Sequence, residues 1–240
     1  MGDLSVLLIA SAFVLGVVHT LAGPDHYIPF LALSRTRRWS LPRTLLITAS
    51  CGLGHVAGSI LIVPLALALG LSLDAVRLTE AFRGNVAGWL LLGFGIAYLA
   101  WGIRQALRHG SVHEHSHVHP EDGEGALPHC HLHDHAAGHV HAHIQDRKSL
   151  TPWLLFLVLV FGPCEPMIPL VFLPAATGNI GQAVLVAIVF SSATVLTMLA
   201  VVGMASAGLA RISSVFLERY GHALAGGLVT LCGIAVKLGL

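Results

Sequence analysis

The sequence is short of charge. Thirteen Lys and Arg and 12 Asp and Glu make up 10% of its 240 residues, against roughly 25% in soluble globular proteins. A chain so composed cannot cover its own surface with solvated groups. Its 55% hydrophobic content and mean hydropathy of +0.79 place it in a membrane instead. Aromatic residues are few, at 7%, and the net charge is +1. No basic patch interleaved with aromatics exists to hold phosphate, which excludes nucleic acid as a partner. Cysteine is scarce as well, with four residues. Three of them, Cys51, Cys164 and Cys232, lie inside apolar stretches, so they read as packed free thiols and not as a disulfide framework. There is no P-loop, so no nucleotide is bound. The chain reads as neither an enzyme nor a holder of a resident cofactor, and any work it does draws on a gradient or a partner.

What is present in quantity is apolar sequence. A spanning helix needs about 20 apolar residues, and six stretches qualify, at about 4–33, 44–71, 85–104, 152–175, 180–209 and 221–240. The fold expected is an all-α integral membrane protein with six transmembrane helices. The first stretch lacks a basic n-region and runs into the polar cluster His19–His26 with no small-residue cleavage site, so it reads as retained and not as a signal peptide. Arg35, Arg37, Arg38 and Arg43 follow the first span, Arg104, Arg108, Arg147 and Lys148 the third, and Arg211 and Arg219 the fifth. Ten of 13 positive charges thus fall in the odd-numbered connections. By the positive-inside rule those connections are cytoplasmic. The expected location is the cell (inner) membrane, multi-pass, with both termini outside.

The two halves look like copies. Gly23-Pro24-Asp25-His26-Tyr27-Ile28-Pro29 recurs as Gly162-Pro163-Cys164-Glu165-Pro166-Met167-Ile168-Pro169, and Gly95-Ile96-Ala97 as Gly233-Ile234-Ala235. Three spans per unit is an odd number, so the second copy lies upside down. The chain divides into a first three-helix repeat at 1–104, a cytoplasmic His-rich loop at 105–150 and a second repeat at 151–240. Gly23, Pro24, Gly162 and Pro163 mark where helices 1 and 4 break. Paired broken helices in inverted repeats line a site near the bilayer midplane.

Ionisable groups fall at those breaks. The first span carries His19, Asp25 and His26, the second His55 beside Cys51, and the fourth Cys164 and Glu165. Each such group in hydrocarbon costs roughly 2.5–3.5 kcal/mol on insertion scales, so they must meet one another or an ion. Imidazole with carboxylate suits a late first-row divalent metal, whereas magnesium or calcium would want oxygen alone. On an unbroken helix His19 and His26 share a face but stand about 10.5 Å apart, too far for one ion at metal–nitrogen distances near 2.1 Å. Either Gly23-Pro24 unwinds the helix and brings them together, or they are successive stations on a path. Ser191, Ser192 and Thr194 in the fifth span face the same region, although helical hydroxyls usually bond their own backbone. Gly54 and Gly58 read as a small-residue ridge for close helix packing.

Residues 109–143 hold 12 of the chain's 16 histidines. Most alternate, as His113, His115, His117, His119, then His129, His131, His133, His135, then His139, His141 and His143. With almost no apolar content the segment has no core of its own and is expected to be disordered without ligand. Clustered neutral imidazoles capture metal ions.

These motifs resemble known permeases. His19-Thr20-Leu21-Ala22-Gly23-Pro24-Asp25-His26 is similar to the HPxxGxDH motif of the HupE/UreJ nickel permeases, with Thr20 in place of proline. Leu53-Gly54-His55 resembles the LGH element of the NiCoT nickel/cobalt permeases. That family's first-helix motif is HxxxxDH, and here one more residue separates the first His from the Asp. The His-rich insert is similar to that of nickel/cobalt efflux permeases in the broader NicO/UreH-like group. The resemblance implies transport of Ni²⁺ or Co²⁺, with Zn²⁺ next, and places His19, Asp25, His26 and His55 at the family's essential positions. It favours uptake on the first-helix motif, with efflux as the alternative. A membrane-anchored metal sensor or chaperone is a further reading. Gly162-Pro163-Cys164 and Pro166 also resemble half of the CcdA/DsbD thiol electron-carrier motif, but Asp25 stands where the second thiol would be. Beyond the ion and the bilayer, the partners expected are a metallochaperone or a second copy of the chain.

Overall fold

The computed structural model describes the backbone of residues 2–108, 113–117, 129–133, 151–209 and 215–239. The body is all-helical. Helix α1 (Gly2–Ala22) ends at a 3₁₀ turn (Pro24–His26) and resumes as α2 (Ile28–Thr36), followed by α3 (Leu41–Ala68) and α4 (Leu73–Arg108). The second half repeats the order: α5 (Thr151–Phe161), an interruption, α6 (Met167–Ala176), α7 (Ile180–Leu209) and α8 (Val215–Leu238). Five of these helices are long and apolar enough to cross a membrane, namely α1, α3, α4, α7 and α8, while α5 and α6 are shorter apolar pieces. Their outer faces carry Leu4, Phe13, Leu61 and Trp153, each more than half exposed, as lipid contact allows and water would not.

The breaks fall where Gly-Pro disrupts the backbone ladder, since proline offers no N–H and crowds the preceding turn. The two broken segments end alike. Arg37 N and Trp39 N donate to Leu33 O and Ser34 O, and Thr177 N and Asn179 N donate to Leu173 O and Pro174 O. Arg38 (φ 51°) and Gly178 (φ 81°) take the same left-handed conformation two residues past the end of the helix, the usual Schellman-type stop. At Arg38 this is uncommon for a side-chain-bearing residue, which hides the correspondence from the sequence.

Helix directions follow from which residues meet. Helices α1 and α7 run parallel, Ser5 meeting Gln182 and Gly16 meeting Phe190 and Ala193. Helices α3 and α5 also run parallel, Gly54 lying on Phe156 and Gly58 on Val160, as the small-residue ridge predicted. Helices α4 and α8 are antiparallel and in close contact. A Cβ at Gly95 would strike Thr230 and one at Gly233 would strike Leu92; one at Gly88 would strike Lys237 and one at Gly226 Leu99. Each contact has its mirror 138 residues away, the offset between Gly95 and Gly233, which is the reciprocity of a two-fold related pair. Without a hydrophobic drive between helices in lipid, such close backbone approach supplies the cohesion.

Two boundaries differ from expectation. The third span was placed at 85–104, but α4 begins at Leu73, because Arg77, Glu80 and Arg83 interrupt the apolar run without interrupting the helix. Within the His-rich segment, His113–His117 and His129–His133 pair as antiparallel strands β1 and β2, with His113, His115 and His117 opposite His133, His131 and His129. The expectation for the rest of 109–150, including His119, His135, His139, His141 and His143, lies outside the described residues.

Candidate metal centre

The break after α1 decides the geometry of the site. Gly23 adopts an extended conformation (φ −88°, ψ 98°), and the chain turns back through Pro24–His26. His26 is thereby carried beside His19, with ring centroids 4.8 Å apart, in place of the 10.5 Å or so of a continuous helix. Of the two readings of this pair, the unwound helix is the one found. His55 comes from the middle of α3, and its ring lies 5.0 Å from that of His26 and 6.0 Å from that of His19. One ring nitrogen from each of the three converges, all within 4.8 Å of one another. His26 and His55 are 2% and 1% exposed.

Hydrogen bonds fix which nitrogens point into the cluster. His55 Nδ1 lies 2.9 Å from Leu159 O, and a carbonyl only accepts, so Nδ1 carries the proton and donates. His26 Nδ1 lies 3.1 Å from Gly23 O and 3.2 Å from Asp25 Oδ1. Both partners are acceptors, so it too donates. The two Nε2 atoms face each other at 3.4 Å. There His26, as imidazolium beside Asp25, can donate its Nε2–H to the Nε2 lone pair of His55, or a metal ion can take that proton's place between them. Two ligands about 2.1 Å from one ion at the tetrahedral angle are separated by about 3.4 Å. Donation of the far imidazole N–H to a carbonyl and a carboxylate is the arrangement that holds metal-binding histidines in place.

Around this triad the other expected residues divide. Asp25 serves through His26, its side chain 17% exposed, and its carboxylate is placed to orient the ring. Cys164 is fully buried, and its Sγ is 3.9 Å from His19 Nε2. Glu165 stands apart: its side chain is exposed and it does not join the triad. Gly162 packs under His55, where a Cβ would come within 3.1 Å of Nδ1. Pro163 sits against Gly84 of α4. The Thr194 and Ser191 hydroxyls are buried without hydrogen-bond partners, and Thr194 lies beside Gly16, one turn before His19.

Sequence reasoning missed the buried acidic group nearest the second break. Glu80 is 0% exposed and forms an ion pair with Arg83 one turn on. Its Oε2 also accepts from Ser59 Oγ at 3.2 Å and from Cys164 N at 3.1 Å. The available signal was a Glu and an Arg three apart just ahead of a glycine-rich apolar run, which reads as an ordinary solvated helix pair.

Comparison of the chain with protein-family models, with curated proteins and with solved structures finds no match.

Proposed function

We propose that this chain is a membrane carrier that moves a divalent transition metal, nickel or cobalt with zinc next, through a site made by His19, His26 and His55 and oriented by Asp25. The observation that carries this reading is the convergence of one ring nitrogen from each of His19, His26 and His55 within 4.8 Å, with His26 and His55 turned by their Nδ1 bonds so that their Nε2 atoms face each other at 3.4 Å. That spacing fits two ligands of one ion, and three imidazoles with a neighbouring thiol suit nickel, cobalt or zinc better than the oxygen-seeking metals. The motifs His19–His26 and Leu53–His55, which resemble the nickel and cobalt permeases of the NicO/UreH-like group, point the same way.

In this reading the chain is a pair of inverted three-span repeats. The reciprocal glycine contacts of α4 and α8 support it. Helices α1 and α7 would cross in one direction and α3 and α5 in the other, which six alternating crossings require. His55 lies midway along α3, so the site falls near the midplane, between the breaks of α1 and α5. The termini are outside, residues 105–150 are cytoplasmic, and their histidines concentrate the ion at the cytoplasmic mouth. The direction is uptake on the first-helix motif, with efflux by the same path as the alternative. Accumulation of radiolabelled nickel in cells with and without the gene tests both: gain supports uptake, loss supports efflux. No change in a chain shown to reach the membrane contradicts transport and favours a membrane-anchored sensor or chaperone.

A further inference from the structure

The short segment from Leu159 to Cys164 touches the triad twice. Leu159 O accepts the Nδ1 proton of His55, and Cys164 Sγ approaches His19 Nε2. Because α5 stops at Phe161, this segment also has carbonyl and N–H groups that no helical turn satisfies, and buried backbone groups must find partners. Helix α4 supplies them. The Arg83 guanidinium donates to Val160 O and, at 3.2 Å, to Ser59 Oγ. The Glu80 carboxylate accepts from Cys164 N. The two charges neutralise each other, with side chains 11% and 0% exposed. Room for the guanidinium is made by Gly58, where a Cβ would lie 2.7 Å from Nη2.

A buried ion pair is a poor route to stability, since packed apolar side chains of similar volume often do as well or better. What apolar side chains cannot supply is a donor aimed at one end of a broken helix and an acceptor aimed at the other. The geometry points to Glu80 and Arg83 as positioning residues of the metal site. Together they grip Val160 O and Cys164 N, hold the 159–164 segment in register, and through it set the tautomer and tilt of His55 and the approach of Cys164 to His19. The inference rests on the metal reading above. The planar fork of arginine is required, because the ammonium of lysine cannot reach Ser59, Glu80 and Val160 in the same geometry.

The test is Co²⁺ titration in detergent of the purified full chain and, beside it, of the chain lacking residues 111–143, read by visible d–d absorption so that binding by the loop histidines is told apart from binding at the triad. The variants are Glu80→Gln/Arg83→Met, which removes both charges at once, Arg83→Lys, and His55→Ala as the control on the site itself. The double variant should elute monodisperse, with a thermal midpoint below the parent's because Val160 O loses its donor. It should bind Co²⁺ about 10- to 100-fold more weakly, the usual effect of losing a group that orients a ligand, and its band at saturation should be shifted. A purely structural pair would not move that band. Should the double variant fail to fold, Arg83→Lys carries the test with the same expectation. Parent affinity and an unshifted band in the folded variant overturn the proposal while His55→Ala still loses binding. If His55→Ala binds like the parent, or the parent does not bind, the metal reading fails and this inference with it.

Discussion

Gly23→Ala isolates the geometry of the first break from its backbone. At φ −88° and ψ 98° alanine is as comfortable as glycine, so no conformational strain enters. The added methyl would instead lie 2.5 Å from His26 Nδ1 and 2.9 Å from both His26 Cε1 and Asp25 Oδ1. Ordinary van der Waals contact begins at 3.4 Å, so the ring must retreat by about 0.9 Å from a site whose metal–ligand distances tolerate about 0.2 Å. The retreat also breaks the Nδ1 bonds to Gly23 O and Asp25 that aim Nε2 at the cluster. Loss of His26 from a three-imidazole site is expected to weaken Co²⁺ binding at least 100-fold, about 2.8 kcal/mol at roughly 1.4 kcal/mol per decade. Gly93→Ala is the matched control. Nothing lies within 4 Å of a Cβ there, and alanine in the interior of α4 should leave binding unchanged and stability equal or up to about 1 kcal/mol higher. Both variants are made in the chain lacking residues 111–143, so that the loop histidines do not mask the triad, and are titrated with Co²⁺ in detergent beside a thermal melt. A Gly23→Ala protein that binds within about twofold of the parent would refute the claim that the unwound turn sets His26.

Other outcomes follow from the same account. Asp25→Asn and His26→Ala should each abolish metal flux in proteoliposomes while leaving membrane-inserted protein at parent yield; near-parent flux in either removes the first-span cluster from the site. In cells expressing Pro120→Cys in a background without Cys130, an impermeant thiol reagent applied outside should give no label. Strong labelling would place 105–150 outside and undo the proposed orientation. Deletion of residues 111–143 should leave flux measurable at high metal while changing its apparent affinity or capacity, because a solvated segment cannot carry its backbone into hydrocarbon and acts through local concentration. Metal binding by the full chain in excess of the deletion variant should fade as pH falls through about 6.5, where free imidazole protonates. A deletion that stops flux at every metal concentration in folded protein would make the segment part of the path.

Much of the site was legible because ionisable residues in apolar sequence must be accounted for. His19, Asp25, His26 and His55 announce themselves by their cost in hydrocarbon, and Gly-Pro announces the two breaks. The sequence could not say whether His19 and His26 meet, because that depends on the turn geometry at Gly23 and not on spacing. Glu80 and Arg83 escaped notice for the opposite reason: their charges argued against a spanning helix, and their partners are backbone groups about 80 residues away. Glu165 shows the limit of matching by neighbourhood. It adjoins Cys164 in sequence, yet the turn after Pro163 directs the two side chains to different surroundings, one buried and one exposed. The proposed repeat is suggested in the sequence by Gly-Pro and Gly-Ile-Ala but not by Arg38, whose left-handed conformation matches that of Gly178 without any resemblance in the side chain.

The central claim, that three imidazoles hold the transported ion, is tested most directly by X-ray absorption of the purified chain loaded with one equivalent of Ni²⁺. A variant lacking residues 111–143 is used, which removes eleven of the twelve histidines of that segment and leaves only His109. The account predicts nitrogen scattering with the multiple-scattering signature of about three imidazoles, falling by one in each of His19→Ala, His26→Ala and His55→Ala. An all-oxygen shell, or a spectrum unchanged in His55→Ala, would contradict it.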